Sequence, residues 1–216
     1  MEKDLKNLEN LKNSNNFENQ EELVNFFENK DLKREKILKL SREIVRNCGI
    51  IIRKIQKDEE VSFDELTTDL NNLHAHTTEF PEFKKYLGTP QQEYVEAKAY
   101  HLITTYKKIP TYAELKEECV TLSKESYILG LCDAIGELRR KVLDCISKDN
   151  KDDAEFYNET MEILYDFIMK FDYYHVIDNL RRKQDVSRSL VEKTNGDFVN
   201  FIENLKLRNE LKKLQK

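Results

Sequence analysis

Residues 127–140 read Tyr-Ile-Leu-Gly-Leu-Cys-Asp-Ala-Ile-Gly-Glu-Leu-Arg-Arg, a stretch with the pattern of a long helix. At about 100° per residue, its apolar side chains fall on one arc of an α-helix. With one residue from just beyond the stretch, that arc comprises Tyr127, Leu131, Ala134, Leu138 and Val142. Asp133 and Glu137 lie beside the arc, next to Gly130, so two carboxylates border the surface that the helix is expected to bury.

A second pair of carboxylates, Glu93 and Glu96, lies within Gln-Glu-Tyr-Val-Glu-Ala at residues 92–97. Spacings of three and four place each pair on one helix face. Glu96 lies at the edge of an apolar arc and Glu93 a little further out. Clustered carboxylates are what a hard divalent cation such as Mg²⁺ requires. The competing interpretation is that both pairs are solvated helix faces, since periodicity does not reveal whether two helices meet.

Composition favours an all-α fold. The 216 residues include only 5 Gly and 3 Pro, and 36% are charged, which is typical of long helices with charged surfaces. We predict a bundle of about seven long helices over residues 31–216, preceded by a weakly ordered Asn/Glu/Lys-rich extension at residues 1–30. Residues 173–193 and 197–214 are predicted as separate helices, because Asn195-Gly196 is a common helix stop.

Charge and cysteine content narrow the class of protein. A net charge of −5 argues against a generic basic surface for duplex DNA. No apolar run approaches the roughly 20 residues of a membrane span, and no secretory signal is recognisable. The four cysteines lack CxxC spacing, so reduced thiols and a cytoplasmic location are expected.

The two acidic motifs resemble those of a known family. Tyr127-x-x-Gly130-Leu131-x-Asp133-x-x-Gly136-Glu137-Leu138-x-Arg140 is similar to the signature helix of the translin superfamily. The closer similarity is to the branch of translin-associated factor X and its archaeal relatives, whose other acidic helix resembles residues 92–97. The resemblance extends roughly over residues 32–197.

This resemblance implies an all-helical subunit of a hollow shell, usually of eight copies, that binds single-stranded RNA or single-stranded DNA. It also implies metal-dependent endonucleolytic cleavage of RNA by a cluster of four carboxylates, which are Glu93, Glu96, Asp133 and Glu137. We therefore expect an endoribonuclease that uses Mg²⁺ or Mn²⁺ and forms a homo-oligomer, most simply an octamer. Asp133 and Glu93 are the preferred direct ligands, with Glu96 or Glu137 as general base.

Two alternatives stay open at this point. One is a binding or assembly subunit without nuclease activity, and the other is a helical adaptor for a protein partner. Several basic residues also have two interpretations, as phosphate contacts or as solvated helix faces. They are a stripe along the first long helix (Arg42, Arg46, Arg53), the pair Arg139 and Arg140, and the run at residues 181–183.

Overall fold

Seven α-helices and one short 3-10 helix form residues 20–214, the part of the chain that the structure, a computed structural model, describes. They are α1 (Gln20–Gln56), α2 (Asp64–His76), the 3-10 helix (Pro81–Tyr86), α3 (Gly88–Tyr106), α4 (Tyr112–Glu118), α5 (Lys124–Ser147), α6 (Lys151–Ile168) and α7 (Leu180–Leu214). Those residues contain no β-strand. The all-α prediction is confirmed.

Helix α5 is the centre of the bundle. It packs against α3, α6 and α7, and its contact with α3 is the most extensive between any two elements of the described chain. Leu131, Ala134, Leu138 and Val142, predicted as its apolar arc, are fully buried, and Tyr127 is nearly so. Helix α1 also packs against α3. The two acidic motifs therefore lie on the two helices with the most extensive contact.

Local sequence signals set several helix ends. Thr111 and Glu114 form a capping box at the start of α4, in which the Thr111 hydroxyl accepts from the Glu114 N–H at 3.3 Å. The Glu114 carboxylate accepts from the Thr111 N–H at 2.9 Å. The side chain of Ser123 caps α5 in a similar way. Both helices thus satisfy N–H groups that would otherwise lack partners.

The first helix begins earlier than the sequence suggests. Helix α1 starts at Gln20, so it includes residues 20–30 of the predicted weakly ordered extension. Its early turns leave large apolar side chains exposed, namely Leu23, Val24, Phe26, Phe27 and Leu32. The remainder of the predicted extension, residues 1–19, lies outside the described residues.

The predicted break at Asn195-Gly196 is wrong, because α7 runs through it without interruption. Side-chain contacts with α6 stabilise the helical conformation at this point. Asn195 accepts from the Asn158 amide at 2.7 Å and donates to Glu162 at 2.8 Å, which ties α7 to α6. The predicted helix start at residue 173 is also wrong. Residues 171–179 form turns, and Asn179 adopts the left-handed conformation immediately before α7.

No helix within residues 20–214 combines the length and apolar character needed to cross a bilayer. Cys48, Cys119, Cys132 and Cys145 are all buried and unpaired, as expected for reduced thiols.

Candidate metal and nucleic-acid site

Gly130 allows the two acidic helices to approach closely. A Cβ atom at this position would lie 2.6 Å from the backbone oxygen of Gln92 and 2.6 Å from Cβ of Val95. Any larger residue would therefore push α5 away from α3. Glu93 and Glu96 lie beside this contact on α3, and Asp133 and Glu137 lie one and two turns further along α5. The prediction that the two helices are direct neighbours is confirmed.

The four carboxyl groups are close enough to act on one another. Burial is the largest cause that raises the pKa of Glu96 to about 8. The charges of Asp133, Glu93 and Glu137 raise that pKa further, and the charge of Lys183 opposes the shift. Burial and the Asp133 charge also raise the pKa of Glu93. The site concentrates negative charge in a partly desolvated region, which a cation would stabilise.

One cation already enters the cluster from α7. The Lys183 ammonium pairs with the Asp133 carboxylate and also donates to the Leu129 carbonyl at 3.5 Å. About a third of the Asp133 side chain and about a fifth of the Lys183 side chain remain exposed. Water and ions can therefore still reach this pair.

Glu137 is held by two donors. The Gln56 amide at the end of α1 donates to one of its carboxylate oxygens at 2.7 Å, and the Arg140 guanidinium donates to the other at 2.8 Å. The residue is only 7% exposed. These bonds fix the orientation of the carboxylate, because both of its oxygens have a partner.

With the side chains in these positions, no three of the His, Cys, Asp and Glu groups in residues 20–214 are arranged to hold one metal ion. Asp133 is turned toward Lys183, and Glu137 toward Gln56 and Arg140. The assignment of the four carboxylates as metal ligands stays a prediction, and it requires Asp133 to exchange Lys183 for the metal.

The thiols near the cluster are poor ligands. Cys48 on α1 has its pKa raised chiefly by burial and then by the charges of Glu93 and Glu96. Burial and the Asp133 charge raise the pKa of Cys132 to about 12. Both stay protonated at neutral pH, whereas a metal binds the thiolate. The donors left are carboxylate oxygens, which suit Mg²⁺ or Mn²⁺ better than a soft metal.

The basic residues selected from the sequence have different environments. Arg42, Arg46 and Arg53 are exposed along α1 and can reach a ligand. Arg139 instead donates to Thr194 at 2.7 Å and pairs with Asp197 at 2.9 Å, on either side of the Asn195-Gly196 pair. Its guanidinium therefore fastens α7 to α5. Arg140 is 69% exposed in its side chain although it holds Glu137, so it remains accessible to a phosphate.

Sequence reasoning missed two members of the site. Gln56 lies at the end of α1 with no motif around it, and no local pattern indicates that it reaches Glu137. Lys183 is the last of three consecutive basic residues, and no feature of the sequence distinguishes it from the other two. The sequence carries no signal for this role; in the structure Lys183 lies next to Gln184, which is buried on α7. Lys183 thus borders the buried face, just as Asp133 does on α5.

Comparisons with known proteins identify relatives of this chain. The family model for the Translin family matches residues 32–196. An uncharacterized protein of Methanocaldococcus jannaschii is 52% identical over 198 residues, which cover 89% of this chain and 87% of that protein.

Solved structures share the fold. The complex of AfC3PO with duplex RNA has a TM-score of 0.70 at 24% identity, over 87% of this chain and 98% of the other. The apo-NeC3PO structure has a TM-score of 0.73 at 23% identity, over 85% and 97% of the two chains. A second structure of AfC3PO has a TM-score of 0.68 at 25% identity, over 87% of this chain and 98% of the other.

Proposed function

The chain belongs to the translin family, and we propose that it binds single-stranded RNA and cleaves it as a metal-dependent endoribonuclease. The carboxylate cluster would hold Mg²⁺ or Mn²⁺ through Glu93, Glu96, Asp133 and Glu137. The observation that carries the proposal is the close crossing of α3 and α5 at Gly130, which brings both acidic pairs into one partly buried site. A solvated helix face would not require this approach.

The donor set fits a hard metal ion. The four carboxylates would supply oxygen ligands from two crossing helices. A metal ion held there would supply Lewis acidity at a phosphate and would lower the pKa of a bound water. The protein side chains do the rest. Asp133 and Glu93 would hold the ion, and Glu137, which Gln56 and Arg140 fix in position, would orient a water molecule.

RNA is the proposed ligand for two reasons. AfC3PO, which shares the fold, has been solved with duplex RNA. In this chain, exposed Arg42, Arg46 and Arg53 follow one helix and Arg140 borders the cluster. Since the net charge is −5, binding depends on locally concentrated basic residues rather than on the protein as a whole. Single-stranded DNA is the second proposed ligand.

A closed homo-oligomer, of eight subunits by family resemblance, would concentrate these basic residues in one interior. The exposed apolar side chains at the start of α1 support assembly, as do Leu207, Leu211 and Leu214 near the end of α7. Light scattering is expected to give a mass several times 25.8 kDa. A monodisperse monomer would contradict this part of the proposal.

The test of the function is cleavage of labelled RNA, single-stranded and duplex, in titrations of Mg²⁺ and Mn²⁺. Single-stranded RNA is expected to be cut internally with either ion and to stay intact in a chelator. In the presence of the chelator, the affinity of the protein for the same RNA is expected to fall as the salt concentration rises. Binding without cleavage at any metal concentration would contradict the catalytic proposal.

A binding subunit without nuclease activity is the second candidate, and the pairing of Lys183 with Asp133 favours it. In that case the ion pair is a structural link between α5 and α7, and the cluster holds no metal. The two candidates differ in what Lys183 does when a metal is added.

Lys183→Met separates them. If Lys183 competes with a metal for Asp133, the variant is expected to bind Mn²⁺ about tenfold more tightly, equivalent to about 1.4 kcal/mol. The metal-free variant is expected to melt at a lower temperature, because Asp133 loses its cation partner. Isothermal titration and thermal melting measure the two effects. Lys206→Met, which removes an exposed partner of Glu203, is the control; equal Mn²⁺ affinity in all three proteins would support the structural role.

A further inference from the structure

An apolar groove lies where the start of α5 meets α4, the end of α6 and the turns that follow α6. Its volume is about 330 Å³, and its wall is almost entirely apolar. Side chains at its floor are buried, whereas Val176 is 71% exposed. The main apolar residues of the lining are Tyr112, Tyr127, Ile128, Phe167, Phe171 and Val176.

The groove offers apolar surface rather than hydrogen-bond partners. The Tyr127 hydroxyl donates to the carbonyl of Pro110 at 2.9 Å, and the Tyr112 hydroxyl donates to the carbonyl of Leu122 at 3.0 Å. These two rings therefore present carbon atoms to the groove. A nucleobase would leave polar edge groups without partners there, which costs free energy. An apolar side chain suits the groove better.

The start of α1 presents apolar side chains that nothing in the described residues covers. Residues 20–29, called the α1 arm below, are all exposed and extend over about 15 Å of helix. Leu23 and Phe27 are 58% and 61% exposed and lie four residues apart, so they share one face of the helix. Exposed apolar surface of this kind commonly marks a site of interaction with another protein.

The arm is directed away from the groove of its own subunit. Helix α1 is uninterrupted from Gln20 to Gln56 and packs mainly against α2, the 3-10 helix and α3. The base of the arm is fastened on that side, because Lys30 pairs with Glu82 at 2.5 Å and the rings of Phe26 and Phe80 lie 5.8 Å apart. The groove belongs to α4, α5, α6 and the turns beyond. Only the groove of another copy can therefore receive the arm without bending α1.

We propose that the α1 arm of one subunit docks in the apolar groove of a second copy of this chain, with Leu23 and Phe27 against the aromatic lining. One contact then removes both apolar surfaces from water. Arm and groove are different surfaces, so the contact either joins copies head to tail or is made twice when two copies exchange arms. The inference rests on the homo-oligomer of the proposed function and identifies one of its interfaces.

Phe27→Glu tests the arm. The variant is expected to raise the concentration at which the assembly half-dissociates by at least about tenfold, because an ionised carboxylate is costly to bury in an apolar groove. Light scattering over a dilution series measures this concentration. Val199→Glu is the matched control, because Val199 is 58% exposed on α7 and does not line the groove. If the wild-type protein assembles and Phe27→Glu dissociates no more readily than the control, the inference is wrong and the proposed oligomer stands. A wild-type monomer would overturn both.

Cross-linking identifies the surface that receives the arm. The double variant Phe27→Cys/Val176→Cys, treated with a short bis-maleimide, is expected to form covalent dimers or longer ladders between chains. The four native cysteines are buried and do not compete. Phe27→Cys/Val199→Cys is the control and is expected to remain as single chains. An intact assembly in which Phe27→Cys/Val176→Cys forms no more cross-linked product than the control, or cross-links only within one chain, would overturn the inference. RNA cleavage enters neither measurement, so the nuclease is tested separately.

Discussion

Asp133→Asn is expected to reduce RNA cleavage by at least roughly 100-fold while RNA binding stays close to that of the wild-type protein. The substitution keeps the size of the side chain but removes the charge that would bind the metal ion. Removal of a residue that hydrogen-bonds to a metal ligand lowers metal affinity or activity by about 10- to 100-fold. Removal of the ligand itself is expected to have a larger effect. Single-turnover cleavage at saturating Mg²⁺ and RNA binding in a chelator measure the two quantities.

The matched control for this variant is Asp166→Asn, because Asp166 is exposed on α6, away from the cluster. It is expected to cleave at the wild-type rate. Far-UV circular dichroism and the elution volume check that Asp133→Asn keeps its fold and assembly. A folded Asp133→Asn protein that cuts RNA as fast as the control would show that the cluster is not where the chemistry occurs.

Gly130→Ala is expected to destabilise the protein by about 1–3 kcal/mol, or more if the two helices separate. In an open helix the same change stabilises by about 0.5–1 kcal/mol, because alanine has the higher helix propensity. Here the added Cβ would lie 2.6 Å from a backbone oxygen of α3, which no side-chain rotation relieves. The sign of the effect therefore tests the crossing itself, and chemical denaturation measures it.

Two other helical glycines provide the controls. A Cβ at Gly136 would come no closer than 3.9 Å to Leu190, and one at Gly196 would meet no atom within 4 Å. Gly136→Ala and Gly196→Ala are thus expected to keep or increase the free energy of unfolding. If Gly130→Ala behaved like them, α3 and α5 would not approach as closely as the structure shows, and the basis for a shared carboxylate site would be lost.

The sequence predicts the individual helices of this fold better than it predicts how they pack against one another. Periodicity identifies the buried face of α5, and local capping chemistry identifies the start of α4, because these depend on neighbours within a turn. Gly130 lay beside the carboxylates in the sequence, but only the packed structure shows that it faces Gln92 and Val95.

The incorrect predictions have the same origin. Asn195-Gly196 is a helix stop by local preference, yet side-chain bonds from α6 to Asn195 and from Arg139 to its neighbours hold the helix intact. Lys183 is separated from Asp133 by 50 positions, so no local pattern reveals their ion pair. The family resemblance indicates four candidate acids, but it does not indicate Gln56 and Lys183 as partners of Glu137 and Asp133, because these partners lie far away in the sequence.

The most direct test of the metal site is anomalous diffraction from crystals grown with Mn²⁺. A peak is expected between α3 and α5, within coordination distance of carboxylate oxygens from Glu93 and Asp133, with the Lys183 ammonium displaced from Asp133. No peak at saturating Mn²⁺, with Lys183 still paired to Asp133, would contradict the proposed metal site.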